Sequence, residues 1–558
     1  MLLMEINRMI HERASRRLLF MYLVWMIFGS GYSLQAAPRE AIFNVKEYGA
    51  TGKKSDNAQA AIQKAIEACA SAGGGTVYLP PGEYTSGQLR LRSHVRLYIE
   101  AGATVYVSKD SSAFDKGQTA ALLYGEDLQN ISIEGRGLID GQSEYEWRLD
   151  DLDDAYIRPN SLLMKTLGKP LMRPFPRGFP KETTYPRMVL LVRCKDVRIA
   201  GLSFIHSRSW NINPYACEHL VIDGVYISSS LKEGVWADGI DPDGCKDVHI
   251  ANSTIETGDD AIVFYSSNVW GPALPCENIT ITNCRLSSAS SALKFCDGNM
   301  NSIRKVTVDN CVITGSNRGI AFMVFDGGYV SDVVLSNLII ECTHFDWFWW
   351  GDGDPIHFNV RRRSEISPEL PKEKEPPAGS IRNVLIRNVI ARGKGSCLIN
   401  GHPESWLEGI SLENIKLFLS ADPASPMEKA VHAMKFQYAR NLKLKDVEVI
   451  WDKPESDKWK SALYLEDIKG LELEGFSGRQ AKPGTEMPAV VLNQVEDVWV
   501  RNSKAAEGAS IFLQILGDKS RGIYLLGNDL HRSKVPYRLE SGVNSGELKT
   551  LSNILPAQ

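Results

Sequence analysis

Two acidic clusters lie one after the other in the middle of the chain, WADGIDPDG at 236–244 and ETGDDAI at 256–262. Asp238 leads the first, Asp259 and Asp260 close the second, and the step from Asp238 to Asp259 is 21 residues. Crowded carboxylates repel one another, so at least one of them holds its proton to a higher pH than usual. An acid and a base can then coexist near neutrality, which is the requirement for cleaving a glycosidic bond. The competing chemistry is a cation site, because five carboxylates, counting Asp241 and Asp243, could hold calcium. Taken singly, Asp241 and Asp243 read as turn formers.

A 21-residue gap has chemical meaning only if the fold turns it into a neighbourhood. The flanking sequence supplies that fold. Short apolar or β-branched strands around an Asn recur as VHIANSTI at 248, ITITNCRL at 279, VTVDNCVI at 306 and VVLSNLII at 333. The turn residues Asn252, Asn283, Asn310 and Asn337 are 31, 27 and 27 residues apart, and Asn388, Asn414, Asp446, Gly475, Asn502 and Asn528 continue the series. A period of this length with few hairpin dipeptides predicts an all-β right-handed parallel β-helix rather than a sandwich. Asn and Gly suit a turn that needs a left-handed backbone, and stacked Asn side chains can hydrogen-bond from coil to coil. One coil then places the two acidic clusters side by side, about 4.8 Å apart. The stretch 57–71 has helical apolar spacing and is expected to cap the open end of the cylinder. Residues 142–188 and 341–380 break the rhythm and read as inserted loops.

The first 37 residues have a basic start, a short apolar run and small residues, the pattern of a secretory signal. The remainder, 38–558, reads as one β-helix domain. A net charge of −4 over 558 residues gives no basic field for nucleic acid. No later segment reads as a membrane span, so no membrane partner is expected after cleavage of the signal. Ten cysteines without zinc spacing predict no metal centre, and Cys284 and Cys311 are expected to stack in the core.

Taken together, FNVKEYGATG at 43–52, GGGTVYLPPGEY at 73–84, GRGLIDGQ at 135–142, SWNINPYACEHLVIDGVYI at 209–227, DGIDPDGCKDVHI at 238–250 and TGDDAI at 257–262 resemble family 28 glycoside hydrolases, the polygalacturonase group. The resemblance covers most of 42–340; beyond that only the repeat supports it. It implies an inverting hydrolase without cofactor, with Asp259 as general acid and Asp238 and Asp260 holding the attacking water. This chain departs from the family pattern at three places. Trp236-Ala237 replaces Asn-Thr, Ser290-Ser291-Ala292 stands where a Gly-His-Gly motif belongs, and Ala321-Phe322-Met323 stands where Arg-Ile-Lys belongs. Lys294 and Arg318 are placed to compensate for the lost cations. Trp236, Trp349 in the aromatic run FDWFWW, and Arg361 complete the expected sugar-binding set. The predicted partner is a pectin-like or other plant or algal polysaccharide, or an oligosaccharide from one, bound by a monomer. A calcium-dependent polysaccharide lyase and a non-catalytic glycan-binding β-helix are the alternative readings.

Overall fold

The computed structural model describes residues 41–149, 168, 172–177, 185–348, 350–366, 375–422, 431–452 and 459–557, with the side chains at 296 and 297 excluded. The predicted signal segment lies outside the described residues. Within 42–557 the coils form a right-handed parallel β-helix. Each strand pairs in parallel with the equivalent strand of the next coil, as Lys246–Ala251 pairs Cys276–Thr282, which pairs Ser302–Asp309, which pairs Tyr329–Cys342. The only antiparallel pair of strands among the described residues is Tyr145–Leu149 with Met172–Pro176, inside the first expected insertion.

The interior is filled by residues that recur once per coil. Phe264, Phe295, Phe322 and Phe358 form a column with ring centroids 5.2, 4.2 and 4.2 Å apart. Cys284 and Cys311 are buried and unbridged, as expected of small apolar fillers. Helix α1 (Gln59–Ser71) turns Ile62, Ala65, Ile66 and Cys69 into the end of the cylinder. It thereby covers apolar surface that would otherwise face water.

The turn asparagines adopt the left-handed conformation, with φ of 53° at Asn252, 56° at Asn283, 54° at Asn310, 56° at Asn337 and 55° at Asn388. Their side chains form a ladder: Asn388 Nδ2 donates to Asn337 Oδ1 at 3.0 Å, and Asn414 Nδ2 donates to Asn388 Oδ1 at 3.0 Å. Asn388→Ala removes both bonds and leaves a Cβ residue in a left-handed turn, at an expected cost of about 2 kcal/mol. Asn388→Gly should recover the backbone share, and urea melts of the two variants read the difference.

Two expectations about the repeat need correction. At the last coils the left-handed residue is Gly527, not Asn528; Asn528 is buried and donates to Val500 O and Asn553 Oδ1. The expected insertion 341–380 is also too long. Asp354–Val360 inside it is a coil strand, paired with Arg318–Val324 before it and Cys397–Asn400 after it. Its polar His357 and Asn359 disguise a buried strand in the sequence. They are buried beside the core rather than exposed.

Candidate active site

Coil register sets the carboxylates. Ile240 bridges Ile262, and Ile262 pairs Leu293. This puts Asp238 level with Asp260, and Asp260 level with Ser291 on the following coil. The backbone confirms the alignment: Gly239 N–H donates to Asp260 O at 2.9 Å. One oxygen each from Asp238, Asp259 and Asp260 lie within 4.8 Å of one another. All three residues are buried, with 3%, 5% and 1% exposure.

The three are held differently. Asp260 is saturated: Oδ1 accepts from Ser290 Oγ at 2.7 Å and Ser291 N at 3.0 Å, and Oδ2 accepts from Lys294 Nζ at 2.8 Å. Asp259 accepts only backbone N–H groups, from Trp236 at 3.1 Å and from Asp260 at 3.0 Å. Burial, and then the charge of Asp260, push Asp259 up to about 7. Asp238 has a buried Oδ1 with no hydrogen-bond partner. Burial and the neighbouring Asp259 drive its pKa well above the carboxylate range. The set therefore places a carboxyl that titrates near neutrality beside one bonded to an ammonium, and its titration belongs to the group as a whole.

Asp241 joins this group. It is fully buried, neither carboxylate oxygen has a hydrogen-bond partner, and burial followed by Asp260 raises its pKa strongly while Arg187 opposes the rise. The turn-former reading of Asp241 is therefore wrong. Asp243 reaches across to a later segment instead, its carboxylate accepting the N–H of Ser267 at 2.8 Å and also its hydroxyl.

The expected sugar-binding residues separate on inspection. Trp236 sits at the site with φ 65°, a strained value for a bulky residue. That conformation accompanies the N–H it aims at Asp259, and its ring lies against Tyr185 and Phe175. Lys294 is at the site, but as the buried counter-charge of Asp260 and not as a free cation. Arg318 is fully buried with Nε on Asp354 Oδ2 at 3.2 Å, so it is corrected from sugar contact to a core ion pair. Arg361 is half-buried and lines no part of the cavity described next. Trp349 lies outside the described residues.

The rest of its aromatic run packs on the coil. Phe348 is fully buried against Val235 and Ala289, and Trp347 Nε1 donates to Leu231 O at 3.1 Å. Trp350, which the sequence did not single out, donates Nε1–H to Ser290 Oγ at 2.8 Å and sits 4.9 Å from Lys294 Nζ. It thus braces two of the three groups that grip Asp260.

A cavity of about 570 Å³ opens beside the carboxylates, lined by Tyr185, Arg187, Trp210, Trp236, Tyr265 and Trp270 among others. The trio does not line it. Trp236 and Arg187, both in its lining, link it to the carboxylates, the first through its bond to Asp259 and the second through its attraction to Asp241 and Asp238. A divalent cation at the trio would meet an ammonium already bonded to Asp260, that of Lys294 at 2.8 Å. The donor set fits proton transfer better.

The class that fold and site define is a parallel β-helix carrying buried aspartates from adjacent coils beside an aromatic cavity. Residues 179–343 match the family model of glycosyl hydrolases family 28, and residues 42–143 match that of rhamnogalacturonase A/epimerase, pectate lyase-like. A probable polygalacturonase of Vitis vinifera is 24% identical over 63% of this chain and 68% of its own length. An exopolygalacturonase of Platanus acerifolia is 27% identical over 54% and 72%. Among solved structures, the exopolygalacturonase of Yersinia enterocolitica superposes with a TM-score of 0.60 at 18% identity, covering 78% of this chain and 79% of that one. The exopolygalacturonase of Thermotoga maritima gives 0.55 at 21%, covering 74% and 92%; these two likenesses carry the fold. At this low identity and over part of its length, the chain is similar to the family 28 glycoside hydrolases of the polygalacturonase group.

Proposed function

We propose that the protein is an exported hydrolase of pectic polysaccharide or its oligosaccharides, in which Asp259 protonates the leaving oxygen and Asp238 and Asp260 direct water at the anomeric carbon. One observation carries the reading. A carboxyl pushed up to about 7 stands within 4.8 Å of another that Lys294 and two N–H or O–H donors grip. Export is consistent with the basic and apolar opening of the sequence. No helix among the described residues is long and apolar enough to cross a membrane.

The resemblance to family 28 supports inversion. NMR of the first-formed sugar, with pectic, algal and neutral polysaccharides offered as substrates, tests the assignment. An inverted anomer is the expected result. A retained anomer overturns the inverting assignment, and a product absorbing in the near ultraviolet would instead mark a lyase.

A further inference from the structure

Among the described residues Arg187 is a buried cation without an ion pair. It is 8% exposed, and its hydrogen bonds run only to Gln118, from Nη1 to the backbone oxygen at 2.9 Å and from Nη2 to the side-chain oxygen at 3.3 Å. Nε is buried with no acceptor. A guanidinium has five N–H donors, so most of its capacity is unused. Asp241 and Asp238 attract it without bonding to it. A charge taken out of water costs several kcal/mol unless an opposite charge meets it closely. Such a group in the wall of an open cavity is poised for an anion.

Its surroundings fix its orientation. The guanidinium lies over the Trp210 ring at 4.8 Å, and Trp210 stacks on Tyr265 at 5.7 Å with an interplanar angle of 22°. All three line the cavity of about 570 Å³, within the size range of small-molecule sites. The other charged residue lining the cavity, Asp243, spends its carboxylate on Ser267. Neither Lys294 nor Arg318 is available, since each is buried on its own aspartate. Among the described residues the cavity therefore offers a single cationic contact, and a planar one suited to a carboxylate.

We infer that Arg187 binds the carboxylate of one uronate ring seated in this cavity, making it the residue that selects acidic over uncharged sugar beside the cleavage point. The choice of uronate rests on the pectic-hydrolase reading; the anion contact does not. Trigalacturonate and its fully methyl-esterified form present the same rings with and without charge. Calorimetric titration of wild type and Arg187→Gln with both probes isolates the contact as a double difference.

Wild type is expected to bind the acid at least about 10-fold more tightly than the ester, the effect of a hydrogen bond to a charged group. Arg187→Gln should bring the two within about twofold while leaving ester affinity unchanged. An acid advantage that survives Arg187→Gln, equal loss for both probes, or no binding of either overturns the inference. If Arg187→Gln does not fold, the wild-type ratio still tests it, since a ratio at or below one is fatal. Reducing-end release in the same samples keeps the two readings apart. Acid-selective binding with no turnover on any pectic substrate sinks the hydrolase and leaves the Arg187 subsite standing. Turnover without acid selectivity does the reverse.

Discussion

Asp259→Asn is expected to reduce kcat by about 10²–10⁴-fold, the range for removing a general acid, with the fold intact. The substitution keeps the shape of a side chain whose only partners are the N–H groups of Trp236 and Asp260. It removes the proton the leaving oxygen needs. The pH profile makes the test specific. With Asp259 at about 7, wild-type activity should fall as pH rises through 7 while the acid loses its proton. That limb should be missing from the residual activity of the variant. A variant that retains the limb would move the acid role to another member of the cluster.

The same group predicts a stability change of definite sign. The folded pKa of Asp259 lies above its ordinary value of 3.8, so the folded state binds the proton more tightly than the unfolded chain does. Stability from this group is complete below about pH 4 and is lost as pH rises towards and through 7. Asp259→Asn cannot ionise and escapes that loss. Relative to wild type, its unfolding free energy should therefore rise between pH 4 and pH 8, by on the order of 1–4 kcal/mol, and its Tm with it. A flat difference across that range would show that Asp259 is not the group titrating.

Lys294→Met should have the second large effect. Lys294 and Asp260 are both buried, 3% and 1% exposed, and bonded at 2.8 Å. Removing one partner leaves an uncompensated charge among four carboxyls, at an expected cost of about 3–5 kcal/mol. Lys294 also holds down the pKa values of Asp259 and Asp238. Without it both should rise further, and the alkaline limb of activity should move to higher pH while maximal activity drops. Thermal melts give the first quantity and the pH profile the second. An unchanged melt with a shifted profile would mean that Asp260 simply takes up a proton, making Lys294 an electrostatic tuner more than a structural group.

Much of this was legible because a coil repeats. The Asn period identified the β-helix, and the helical spacing of Ile62, Ala65, Ile66 and Cys69 identified the cap. Both are local patterns, expressed by residues near one another in sequence. The period also said that Asp238 and the Asp259–Asp260 pair are neighbours. It gave the step to within one residue, but the register that puts Asp238 level with Asp260 comes from the Ile240–Ile262 bridge.

What the sequence alone determined is the solenoid and the meeting of its carboxylates, because strand period and turn chemistry are written in every coil. Only the tertiary structure decided what each charged side chain does there. Lys294 and Arg318 looked equivalent as spare cations, yet each is committed to a different aspartate, Asp260 and Asp354. Arg187, 51 residues before Asp238 in the chain, is the cation left facing the cavity. Asp241 passed for a turn residue because its burial beside Asp238 and Arg187 depends on three separate coils closing around it. Pairing and desolvation set the charge of such groups, and both are properties of distance in space that no spacing along the chain records.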